Sequence, residues 1–138
     1  LVADVEIESV RAVDAIGAPS EPGQNQRLFD GEVDKIRLSG AANVRLAGLD
    51  VTITRQFVDD AATYDLSQKL SKLNAALLIL HAPEDRVVDI GEAAKIYRAA
   101  RHPKSFVALA GADHLLTRRT DTAYAARVIA AWSSLYVA

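Results

Sequence analysis

No cysteine occurs anywhere in the 138 residues. That excludes a thiol nucleophile, a disulfide and any cysteine-ligated metal, and it fits a cytoplasmic protein. Methionine is also absent, position 1 included, from which we expect a segment preceding Leu1. An excess of either charge is missing. The 16 basic residues are set against 18 acidic ones, for a net charge of −2, so no strong field favours nucleic acid or an anionic membrane. Arg98, Arg101, His102 and Lys104 gather locally, as do Arg118 and Arg119, but without an interleaved aromatic platform they read as solvated surface. No apolar stretch approaches the ~18–20 residues of a membrane span. The opening LVADVEIESV lacks the basic start and apolar core of a signal peptide. No grouping of histidine and carboxylate has metal-ligand spacing, and no cofactor is expected.

What is present is the composition of one folded domain, with 50% apolar and 25% charged residues. The residues before Ser9 read as a helix end. Val10 to Ile16 reads as a strand closed by the Gly and Pro turn signals of AIGAPSEPG. QRLFDGEVDKIRLSG follows as a helix with Leu28, Val33, Ile36 and Leu38 apolar and Gly40 as its stop. In NVRLAGLDVTIT, Val44 and Leu46, then Val51 and Ile53, alternate with polar neighbours around Gly48 and Asp50, the pattern of a hairpin. FVDDAATYDLSQKLSKL is helical with a break in the middle. Leu77 to Leu80 is a continuous apolar run, as expected of a strand buried on both faces. Asp89 then caps a helix, with Glu92 three residues on as in a capping box and Ile90, Ala93, Ala94 and Tyr97 on one stripe. SFVALAG is the next strand. The last element, DTAYAARVIAAWSSLYV, is an amphipathic helix with Tyr124, Val128, Trp132 and Leu135 on one face.

The order strand–helix–strand–helix from Leu77 onward predicts an α/β fold with parallel strands and crossover helices. Open parallel sheets place ligands beyond the carboxyl ends of their strands. Here those ends carry Ser20, then His81 and Asp85, then Asp113 and His114. A carboxylate that accepts from Nδ1–H of a histidine fixes its tautomer and stabilises the imidazolium formed when Nε2 takes a proton. Asp85 and His114 suit those two roles. They also suit a turn aspartate in PEDR and a loop-capping histidine, and spacing leaves both readings open. His81 reads as a packed strand-end histidine or as support for the pair, and Asp113 as a loop hydrogen-bonder.

LLILHAPEDRVV, followed by RHPKSFVALAGADHLLTRRTDTAYAARVIAAW, resembles the C-terminal half of α/β-hydrolases. It is most similar to the bacterial branch whose hydrolase domain is often fused to an OsmC-type peroxidase domain. AIGAPSEP and VTITRQFVDD resemble the same branch, and HPKSF and GADHLL are its more specific segments. The resemblance implies a partial α/β-hydrolase domain over residues 1–138, with a cap-like insertion containing the hairpin at about 24–56. It implies Asp85 as triad acid and His114 as triad base, acting in Ser-His-Asp ester hydrolysis on a small-molecule ester or acyl substrate. The family nucleophile sits on a G-x-S-x-G elbow, and this sequence contains none. Ser20, beyond the first strand, is the candidate substitute; a segment outside this sequence is the other source.

A second expectation is non-catalytic. A hydrolase half-sheet exposes a strand edge that invites pairing with another chain, which predicts a homo-oligomer formed through Val10 to Ile16 or through the hairpin.

Overall fold

The computed structural model describes residues 9–21, 23, 30–46 and 48–137. The expected helix end before Ser9 lies outside them, as does the start of the helix expected from Gln26, including Leu28. The chain divides into two compact units, one formed by Leu1–Ser20 with Ser67–Ala138 and the other by Glu21–Leu66. The second is therefore inserted in the chain between the first strand of the sheet and the rest of it.

The first unit is built on three strands, β1 (Ala12–Ile16), β4 (Ala76–His81) and β5 (Lys104–Ala108), in the order β1-β4-β5. Both pairings are parallel, with Ile16 opposite Leu80 and His81 opposite Ala108. β4 is central, and all six of its residues are buried. That is why it reads as an unbroken apolar run and does not alternate. Leu78 and Leu80 join Ala82, Leu109, Ala112 and Ala125 in one core cluster. Leu77, Ile79 and His81 point to the opposite face by the two-residue period of a strand. Among the described residues, β1 has no strand on its outer side.

Three helices complete this unit: α3 (Leu66–Lys72, beginning at the unit boundary), α4 (Ile90–Ala99) and α5 (Arg119–Ser133). Asp89 caps α4, its Oδ1 accepting from Gly91 N–H at 2.7 Å. The buried face of α4 is Ala93 and Ile96; of the stripe expected through Ile90, Ala93, Ala94 and Tyr97, Ala93 is buried, Ile90 and Tyr97 are half-buried and Ala94 is exposed. α5 departs from expectation in the same way. Ala125 is buried, and Val128, Ile129 and Trp132 pack on the sheet cluster, but Tyr124 is 49% and Leu135 75% exposed. The face that meets the sheet runs through 125, 128, 129 and 132, turned to one side of Tyr124, and Leu135 lies past the end of α5.

The second unit holds the hairpin. Helix α1 (Asp30–Ser39) leads into β2 (Ala41–Leu46), which pairs antiparallel with β3 (Leu49–Thr54), and α2 (Arg55–Thr63) follows. Gly48 in the turn has φ +84°, a conformation that glycine adopts without steric cost. Thr54 caps α2, its hydroxyl accepting from Phe57 N–H. The break expected within the following helical stretch falls at Tyr64 and Asp65, between α2 and α3. Val33, Ile36, Ala42, Val44, Ile53 and Val58 form this unit's own core.

Candidate active site

The turn after β4 is arranged around one carboxylate. Asp85 N–H donates to Ala82 O at 3.1 Å, closing the turn. Its side chain then folds back, and Oδ1 accepts from Val87 N–H at 2.8 Å and from Val88 N–H at 3.0 Å. An aspartate that captures backbone amides just ahead of it is the usual way this residue shapes a turn. With Oδ1 fully engaged, Oδ2 is left for His114, whose Nδ1 stands 2.8 Å away. The Asp85 side chain is 1% exposed, and such burial raises a carboxyl's affinity for its proton. The bonds from Val88, His114 and Val87 outweigh that and hold Asp85 below the ordinary carboxylate range. It is therefore an anion, and His114 Nδ1 is the donor.

His114 arrives on the loop after β5. Leu109 N–H donates to His81 O at 2.9 Å, extending the ladder one residue past β5. Beyond it, Asp113 Oδ1 accepts from Thr117 N–H at 2.9 Å, and Thr117 Oγ1 donates to Asp113 Oδ2. Arg118 reaches Gly111 O at 2.7 Å and pairs with Asp121. These bonds fix the loop on both sides of the histidine. The ring is 24% exposed, and its Nε2 has no hydrogen-bond partner among the described residues. Gly17, at the end of β1 with φ +55°, lies against the pair. A Cβ there would sit 3.2 Å from His114 Nδ1 and 3.6 Å from Asp85 Oδ2. All three strand ends thus contribute: β4 the acid, β5 the histidine and β1 a glycine floor.

Ser20 is placed elsewhere. Its N–H and its hydroxyl both donate to Glu92 Oε2, at 3.0 and 2.5 Å, and it is buried. Its proton points at a carboxylate, not at His114. The same bonds undo the expected capping box. Glu92 does not return to the Asp89 backbone, because its two oxygens are taken by Ser20 and by Lys95 Nζ at 2.6 Å. Asp113 is the loop hydrogen-bonder that the sequence suggested, with no bond to His114. Among the described residues, no group of three or more His, Cys, Asp or Glu is placed to hold a metal, and no helix is long and apolar enough to cross a membrane.

Comparison with protein-family models gives no match, and comparison with curated protein sequences gives none either. Solved structures do match. The esterase domain of a Rhodothermus marinus protein aligns with 99% of this chain at 37% identity and a TM-score of 0.84, the chain covering 56% of it. Mouse α/β hydrolase domain-containing protein 10 aligns with 96% of the chain at 16% identity and a TM-score of 0.70, the chain again covering 56% of it. A monoacylglycerol lipase from Paleococcus ferrophilus aligns with 94% at 14% identity and a TM-score of 0.66, with 61% of its length covered. The chain has a partial α/β-hydrolase fold. It spans a little over half the length of these structures.

Sequence reading paired Asp85 with His114, which are joined by the 2.8 Å bond, and missed what surrounds them. Gly17 read only as a turn signal, although a glycine directly after a strand aimed at the site edge is also where a close approach is possible. Nothing local marks Glu92 as the partner of a residue 72 positions away.

Proposed function

We propose that Asp85 and His114 are the acid and base of an ester hydrolase of the serine type. The observation that carries this reading is the 2.8 Å bond between a buried carboxylate and Nδ1 of a partly exposed histidine, whose Nε2 is unengaged among the described residues. In that arrangement Asp85 holds the tautomer with the proton on Nδ1. Nε2 takes a proton from the attacking hydroxyl, Asp85 stabilises the imidazolium, and Nε2 returns the proton to the leaving group. The hydroxyl comes from a segment other than the described residues, because Ser20 is committed to Glu92. The esterase and lipase names among the matching structures support a small-molecule ester as substrate. The resemblance of HPKSF and GADHLL supports placing the chain in the bacterial branch often fused to an OsmC-type domain. The open side of β1 supports self-association or pairing with another strand there, which sedimentation velocity reads directly.

The test is hydrolysis of a short p-nitrophenyl ester by the chain together with the segment that supplies the hydroxyl, and by two variants of that protein. His114→Ala is expected to lower the rate by about 10²–10⁴-fold with the fold intact, and Ser20→Ala to leave it unchanged. A rate that survives His114→Ala overturns the base assignment. A rate lost in Ser20→Ala restores that serine as nucleophile.

A further inference from the structure

His81 ends β4 and takes no part in the proton transfers above. It is fully buried, the one polar side chain in a strand that otherwise reads ALLIL. Its Nε2 stands 2.9 Å from Val88 O. A carbonyl only accepts, so Nε2 carries a proton and donates it. Nδ1 is buried and has no hydrogen-bond partner among the described residues. A buried ring nitrogen without a partner is destabilising, a cost that a leucine at this position would avoid.

The bond that His81 does make falls at a particular place. Val88 accepts from His81 through its carbonyl and donates through its N–H to Asp85 Oδ1 at 3.0 Å. The same Nε2 lies 3.7 Å from Asp85 Oδ2, the oxygen that receives His114. A continuous chain therefore runs from His81 to Val88, from Val88 to Asp85 and from Asp85 to His114. Its first member is anchored in the most buried strand of the sheet, and its last is the partly exposed base. Without the first bond, Val88 O loses a buried donor, and the turn that aims Asp85 is held only by the bonds Asp85 itself makes to Ala82, Val87 and Val88.

We propose that His81 is a positioning residue, whose Nε2–H holds Val88 so that Asp85 Oδ1 is occupied and Oδ2 is aimed at His114 Nδ1. The inference rests on the reading of Asp85 and His114 as an acid–base pair, and its test keeps the two apart. The chain has only three histidines, so their ring protons can be assigned by NMR in the ¹⁵N-labelled protein. A His114 Nδ1 proton held by a carboxylate is protected from exchange and shifted to low field. We expect it in the wild type and in His81→Gln, whose side-chain amide can donate to Val88 O. In His81→Leu we expect it to be lost to exchange or moved upfield while the backbone spectrum stays folded. A folded His81→Leu protein that keeps the resonance at the wild-type position overturns the role of His81. So does a folded His81→Gln protein that loses it, and this arm decides the matter if the leucine variant does not fold. Absence of the resonance from the wild type would instead refute the Asp85–His114 pair itself.

Discussion

Asp85 and His114 lie 29 positions apart and are joined by a 2.8 Å bond from Nδ1 to Oδ2. Two features of the sheet make this possible. β4 and β5 are adjacent and parallel, with His81 opposite Ala108, so the loops that follow start about 4.8 Å apart. Each loop is then shaped by its own aspartate, Asp85 through Val87 and Val88, and Asp113 through Thr117. The two side chains meet because two turns, not one, are held.

Gly17→Ala is expected to disturb the pair directly. The residue has φ +55°, where a side chain costs about 1–2 kcal/mol, and the new methyl would stand 3.2 Å from His114 Nδ1 and 3.3 Å from Cε1. The histidine must move to relieve it. It need give by only a few tenths of an ångström, so the loss of rate should stay below the roughly 10²-fold that a misplacement of about 1 Å in a catalytic group can cause. Ester hydrolysis should therefore fall further than the loss in stability, read by urea denaturation, would explain.

Ser20→Ala is expected to separate stability from chemistry. The variant loses the hydroxyl bond to Glu92 and keeps the backbone one. A hydrogen bond to a charged group contributes about 1.5–3 kcal/mol, so the urea midpoint should drop while hydrolysis is retained. Glu92→Gln should show the same pattern.

Acid should destabilise the protein through two carboxylates. Burial acts to raise Asp85, but its bonds from Val88, His114 and Val87 hold it low. Glu92 is likewise pushed up by burial and brought lower by Lys95 and Ser20. In the unfolded chain both titrate in the ordinary range near 4. Between the folded and unfolded values the unfolded chain binds more protons, so stability falls as pH falls. The contribution should be complete above about pH 5 and be lost on further acidification. Urea titrations between pH 7 and pH 3 should show this, with a smaller loss in Asp85→Asn.

How much of this was legible in the sequence follows from the range of each interaction. β4 was legible because burial on both faces leaves no polar position until His81. The hairpin was legible because Val44 and Ile53 alternate around a glycine that the turn requires. Asp85 and His114 were legible because strand ends in a parallel sheet share one edge. The partner of Glu92 was not. A capping box is a local pattern, and Ser20 competes for the same carboxylate from 72 residues away. The faces of α4 and α5 were legible in part, Ala93 and Val128 with Trp132 being placed correctly; the rest was not, because apolar residues occur on more than one stripe of each helix, and only the sheet selects which is buried. Tyr124 and Leu135 are apolar and exposed all the same.

The most direct test of the account is the kcat for p-nitrophenyl ester hydrolysis by Asp85→Asn against wild type, with folding checked by circular dichroism. An asparagine keeps the shape but can donate to Nδ1, favouring the tautomer whose Nε2 already carries its proton. The account predicts a fall of about 10⁴-fold in a folded protein. A folded variant that hydrolyses the ester at the wild-type rate would contradict it.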